Sequence, residues 1–162
     1  MSSKLMPKTL HPLRVLRPVR TLLGLLLHRP IVGTSVIPLL PDGRIVLIRR
    51  RDNGLWSLPG GMVDWDEDIP TAAARELKEE TGLTLTAVGR LVGVYSAAGR
   101  DPRFHSVCVA LEARAEGSFK IFDRDEVIEV QAFEAQSLPS ETLAHDHAQQ
   151  LKDYFAGKTV VA

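Results

Sequence analysis

Residues 61–83 read GMVDWDEDIPTAAARELKEETGL. The second half of this stretch has the grammar of a helix over Pro70–Thr81. Proline is tolerated in a first helical turn. Acids precede it, and Gly82 stands where a helix commonly ends in the left-handed conformation. On such a helix Glu76, Glu79 and Glu80 share one face, because positions three and four apart are neighbours. Leu77 and the alanines 72–74 then face a core. Three like charges on one face repel, and a hard divalent cation removes that penalty. Mg²⁺ favours oxygen ligands and takes carboxylates together with substrate phosphates. Arg75, four residues before Glu79, is placed to neutralise and orient it. The competing reading of Glu79-Glu80 by itself is a solvated acidic face.

Outward from this helix the chain alternates strands and turns. Ile31–Leu40 reads as a strand, Pro41-Asp42-Gly43 as a turn, and Arg44–Arg50 as a second strand with Ile45, Val46, Leu47 and Ile48 buried. Together they form an expected hairpin. A Gly/Pro-rich loop leads through Leu58-Pro59-Gly60-Gly61 into the helix. Further strands are expected at about 84–96, 104–115 and 127–134, and a closing helix from Ser140 or Glu141 to Phe155. Strands interleaved with helices in this order imply an α/β protein, a mixed sheet covered by helices. Before the first strand, Leu13, Leu16, Val19, Leu23 and Leu26 recur at helical spacing with arginines between them, so an N-terminal amphipathic helix is expected at about 12–28. Packing on the domain or on a second subunit is its expected role. Contact with a membrane surface or an anionic partner is the alternative.

Composition narrows the function classes. The 162 residues suit one domain, read as a basic tail and helix over 1–29 and a main domain over 30–162. Formal net charge is zero, but all six basic residues before Asp42 precede any acid. The rest of the chain therefore has 14 basic against 20 acidic residues. That acidity suits divalent cations and argues against a nucleic-acid polymer as partner, whose binding rests on neutralising many phosphates. No apolar run approaches the ~20 residues needed to span a bilayer. Membrane contact is not expected, and no cleavable signal peptide is recognisable. Cys108 is the single cysteine, in an apolar run that makes it a core residue. A reducing, cytoplasmic compartment fits.

The pattern of Gly61, five residues, Glu67, seven residues, Arg75-Glu76-Leu77, one residue, Glu79-Glu80, one residue, Gly82-Leu83 resembles the Nudix box at every specified position. The preceding Trp56-Ser57-Leu58-Pro59-Gly60-Gly61 resembles that family's usual approach to the box, and the likeness extends over about 30–155. It implies a Nudix-type α/β/α sandwich with a mixed sheet, holding Mg²⁺ (or Mn²⁺). It implies Glu79 and Glu80 as metal ligands and Glu76 as a further ligand or the base that activates water. Arg75 would orient these carboxylates. Glu67 would bind a second metal or brace the loop, and Gly60 would offer its backbone carbonyl to a metal. Glu126 resembles the later glutamate that serves some members as base or ligand; a solvated loop acid is the alternative.

The implied substrates are nucleoside diphosphates joined to another group, small molecules cut by water attack on phosphorus. Tyr95-Ser96 followed by Gly99-Arg100-Asp101-Pro102-Arg103 is similar to a segment of ADP-ribose pyrophosphatases, differing from it at Ala98 and Phe104. ADP-ribose or a nucleotide sugar is therefore favoured over (deoxy)nucleoside triphosphates, with a non-catalytic nucleotide-binding module as the remaining class. Arg100 and Arg103 could grip a phosphate bidentately, and Arg51, leaving the second strand, is a further candidate contact. His145 and His147 read as surface residues. Trp56 reads as packing beneath the Gly-rich loop. A homodimer is the expected assembly.

Overall fold

The computed structural model describes residues 30–101 and 105–162. The basic helix expected at 12–28 and Arg103 lie outside the described residues. Seven strands form one mixed sheet: β1 (Ile31–Leu39), β2 (Ile45–Arg50), β3 (Trp56–Ser57), β4 (Thr84–Tyr95), β5 (Ser106–Glu116), β6 (Val127–Phe133) and β7 (Val160–Val161). Among the described residues two α-helices accompany them, α1 (Ile69–Thr81) and α2 (His147–Phe155). The sheet runs β3-β2-β1-β5-β4-β7, with β6 paired to β2. The β1–β5 and β4–β7 pairings are parallel and the others antiparallel. The expected mixed sheet with helices on it is what forms.

Both faces of the central strands are covered, which is why Val36–Leu40 and Ile45–Ile48 read as continuous apolar runs rather than alternating ones. Successive side chains point to opposite faces. Ile37, Leu39, Ile45 and Leu47 meet Val92, Tyr95 and Leu151 of α2 in one core cluster. Their alternates pack on the α1 side: Leu40 and Val46 with Leu77 and Leu83, and Val36 with Ala73. The alanines of α1 are small so that the helix can lie close on the sheet; Ala72 and Ala73 are wholly buried.

Helix α1 begins where the side chain of Asp68 accepts a hydrogen bond from the Thr71 amide at 2.8 Å. It ends at Gly82, whose φ of 79° is left-handed and whose N–H bonds the carbonyl of Lys78. A side chain at Gly82 would also strike the backbone of Lys120. The β1–β2 turn is closed by Gly43 at φ 87° and by the Asp42–Arg44 pair.

The closing helix departs from expectation. It starts at His147, not at Ser140 or Glu141, and residues 135–137 and 140–142 form only short 3₁₀ turns. The cause is tertiary. Leu143 bridges Trp56, and the Ala144 amide bonds the Trp56 carbonyl at 2.7 Å, so this segment is spent as an extended edge beside β3. His145 then takes a positive φ of 54°, which no helix interior accepts. The short strands β3 and β7 also exist only through their partners.

Leu47 is fully buried between β1, β6 and α2. Truncating it leaves a cavity as well as losing transfer energy, so Leu47→Ala should cost about 2–5 kcal/mol. Urea unfolding followed by circular dichroism measures this; a change no larger than that of a surface substitution would contradict the packing described.

Candidate active site

The Gly-rich loop is threaded onto the start of β1. Thr34 N–H donates to the Gly61 carbonyl at 2.9 Å, Val36 N–H to Pro59 at 2.8 Å, and Val63 N–H to Val32 at 3.0 Å. The approach is too close for side chains on the loop. A Cβ at Gly60, where φ is 150°, would run into the Thr34 carbonyl. A Cβ at Gly61 would run into the carboxylate of Glu76. The two glycines thus let a loop, a strand and a helix face converge at one place.

Above this loop the acidic face of α1 is graded in depth. Glu79 is exposed, Glu76 half-buried, and Glu80 only 2% exposed. Glu80 accepts the Gly60 N–H at 2.8 Å. Burial drives its carboxyl well above the usual range. The Gly60 N–H opposes that shift, and the negative charges of Glu76 and Glu126 add to it. Glu76 is also raised, again by burial first, with Arg75 opposing and Glu79 and Glu126 contributing. These are the effects of holding carboxylates together out of water.

Arg75 is the hub. Its Nε and one terminal nitrogen grip both oxygens of Glu67 at 2.9 and 2.8 Å. The other terminal nitrogen reaches Glu76 at 2.8 Å and Glu79 at 3.4 Å. The nitrogen that holds Glu67 also donates to the Met62 carbonyl at 3.0 Å. The Arg75 hydrogen bond, helped by the Asp64 N–H, lowers the Glu67 carboxyl to about 2. Glu67 thereby braces the loop in this arrangement, both of its oxygens being taken.

The second wall comes from beyond β5. The amides of Phe122 and Asp123 both donate to the Glu79 carbonyl at 2.9 Å, which uses the free carbonyl end of α1. The Asp123 side chain accepts from the amides of Asp125 and Glu126 at 3.0 and 3.1 Å. This turn brings Glu126 to the α1 carboxylates. The cleft so formed has a volume of about 360 Å³ and is lined by Gly60, Gly61, Glu76, Glu79, Glu126 and Arg100, among others. That is the size of a small-molecule site.

The arginines are distributed differently from the sequence reading. Arg100 lines the cleft, but its side chain is only 8% exposed. It is held by Asp146 at 2.9 and 2.7 Å and by Ser106 at 2.6 Å. Arg51 does not line the cleft. Its neighbour Arg50 does, paired with Asp52 at 2.9 and 2.7 Å, because alternation along β2 puts it on the face of Val46 and Ile48. Trp56 packs edge-on to Phe133 with centroids 5.1 Å apart, and not in the cleft.

Two side chains were misread from sequence. His147 is buried, not on the surface, and His145 is half-buried; both line the cleft. The Nδ1 of His147 accepts the Leu58 amide at 3.0 Å and lies 3.2 Å from Ser57 Oγ. Nothing local marks this role; it follows from α2 docking beside β3.

With the geometry in view, comparison with known proteins places the chain. The NUDIX domain family matches residues 29–154. This chain belongs to the Nudix family. It is 37% identical over 137 residues to an ADP-ribose pyrophosphatase of Methanocaldococcus jannaschii, a match covering 83% of this chain and 78% of the relative. Among solved structures it is similar to a MutT Nudix hydrolase from Burkholderia pseudomallei, at 31% identity and TM-score 0.67, covering 77% of this chain and 98% of that one. An ADP-ribose pyrophosphatase from Streptococcus suis is 27% identical with TM-score 0.68, covering 83% and 100%. The Nudix box recognised at 61–83 is thus the loop and helix that line this cleft. No helix among the described residues is long and apolar enough to cross a membrane.

Burial holds His147 well below the ordinary imidazole value of about 6.5; Asp146 opposes this, and the charges of His145, Arg100 and Arg50 push the same way. The unfolded chain therefore binds the proton more readily than the folded one, so this histidine costs stability as pH falls below about 6.5. His147→Asn, which can keep an acceptor for the Leu58 amide, should flatten the loss of urea stability between pH 7 and pH 5. An unchanged slope would mean that His147 is not buried as a neutral ring.

Proposed function

We propose that this Nudix hydrolase cuts the diphosphate of a nucleoside diphosphate derivative, with ADP-ribose or a nucleotide sugar ahead of nucleoside triphosphates, and that it depends on a divalent cation. The observation that carries this reading is the buried Glu80 beside Glu76, Glu79 and Glu126. A buried carboxylate crowded by other negative charges calls for a cation.

The donor set suits Mg²⁺ or Mn²⁺. It is all oxygen, with no thiolate or imidazole among these glutamates, and hard cations take such ligands. Among the described residues no three His, Cys, Asp or Glu side chains form a ready-made ion site; Arg75 engages Glu76 and Glu79 instead. Glu79 and Glu80 would hold the ion, with Glu76 and the Gly60 carbonyl beside them. When bound, a divalent ion neutralises the diphosphate and lowers the pKa of water.

The chain's own groups supply the rest. Arg75 keeps Glu67 and Glu76 in fixed positions, which organises the carboxylates before substrate arrives. Glu76 or Glu126 takes the proton of the attacking water. The raised affinity of Glu76 for protons suits it to that work near neutral pH. Water attacks one phosphorus, the P–O bond of the anhydride breaks, and a phosphate monoester leaves with no covalent enzyme intermediate. Arg50 supplies a positive charge at the cleft.

The favoured substrate rests on the M. jannaschii and S. suis relatives, both named ADP-ribose pyrophosphatases. Incubation of the chain with ADP-ribose, nucleotide sugars and triphosphates in the presence of Mg²⁺ should release AMP from ADP-ribose. Glu79→Gln or Glu80→Gln should lower kcat/KM by at least about 100-fold, and chelation should abolish turnover. Turnover that survives chelation would overturn the metal dependence. Pyrophosphate released from a triphosphate, with ADP-ribose untouched, would move the chain to the alternative class.

A further inference from the structure

A second hollow lies outside the cleft. It has a volume of about 490 Å³, and its lining includes Arg51, Lys120, Arg124, Phe119, Val127 and Ile128. Three of these residues are basic and none is acidic, although acids outnumber bases 20 to 14 in the chain from Asp42 onward. Arg44, Arg49, Arg50, Arg75 and Arg100 each pair with a carboxylate. Arg51 and Arg124, like Arg90 and Arg114 elsewhere, form no ion pair among the described residues. Neither Arg51 nor Arg124 has a carboxylate within ion-pair distance among the described residues, and both line the hollow.

The hollow is also preorganised. Arg51 is fixed at its backbone, which donates to the Glu126 carbonyl at 2.8 Å, and at Nε, which donates to the Arg124 carbonyl at 2.8 Å. Its remaining guanidinium N–H groups bond nothing among the described residues. The segment carrying Arg124 is tied to the end of α1 through Phe122 and Asp123. Exposed apolar groups share the lining, Phe119 at 45% and Ile128 at 43%. Nearby, Lys120 lies 4.5 Å and Lys78 6.0 Å from the exposed ring of Phe122.

We propose that this hollow is a second binding site, for the phosphate of a nucleotide. The phosphate meets Arg51, Arg124 and Lys120, which suit an oxyanion as charge-assisted donors. The base lies against Phe119, since any base has a face that stacks on an aromatic ring. The site is separate from the catalytic carboxylates. Adjacent residues divide between the two: Arg50, Asp123 and Glu126 line the cleft, while Arg51, Arg124 and Val127 line the hollow.

AMP titrated into the ¹⁵N-labelled full chain, with chelator present to suppress metal-assisted binding in the cleft, tests this. Saturable shifts are expected at the amides of Arg51, Lys120, Ile121 and Arg124, with adenosine alone much weaker. Lys120→Glu combined with Arg124→Glu should weaken AMP at least about tenfold, and Glu79→Gln should leave it unchanged. Should the double reversal fail to fold, Lys120→Gln and Arg124→Gln each should weaken binding measurably. The proposal falls if AMP at millimolar concentration gives no saturable shift, if the shifts fall only on cleft residues such as Gly61 and Ser106, or if the charge changes leave affinity intact.

Discussion

Carboxylates do not gather in a cleft unaided, and the arrangement around α1 depends on how their repulsion is offset. Arg75 carries much of that task. One guanidinium engages Glu67, Glu76, Glu79 and the Met62 carbonyl, so it ties the loop before the helix to the helix face itself. A lysine would not do this, because it lacks the planar fork that meets two oxygens at once. Glu80 is held by a different device, the backbone N–H of Gly60. The acidic face is thus stitched to its loop at two depths.

That stitching dictates what the loop can be made of. Gly60 and Gly61 lie against β1 and Glu76 so closely that a side chain at either would collide. The sheet underneath must in turn hold its place: β1 sits between β2 and β5, with both faces packed. The helix rests on the sheet through Ala73 and Leu77 and shows its glutamates to the cleft. Core packing and site chemistry are therefore two sides of the same helix.

The turn at 122–126 extends the same economy. The carbonyl end of α1, which has no intrahelical partners, receives the amides of Phe122 and Asp123. This places Glu126 at the cleft and leaves Arg124 facing the other way, beside Arg51. A single tight turn thereby separates a negative cleft from a positive hollow. Charge of both signs on a short segment is sorted by backbone geometry.

Much of the cleft was legible in the residues alone. Spacing along one helix puts Glu76, Glu79 and Glu80 on one face, Pro70 and Gly82 bound that helix, and the box pattern marks the family, all of them local properties. Hydrophobic runs and turn residues were enough for the five longer strands. The tertiary structure decided what depends on partners distant in sequence. It buried Glu80 and left Glu79 in water. It spent Leu143 and Ala144 on pairing with Trp56, which delayed the last helix to His147 and turned that histidine inward. It locked Arg100 onto Asp146 and sent Arg51 out of the cleft while admitting Arg50. Periodicity records which side of an element a residue occupies, but only packing determines what that side faces.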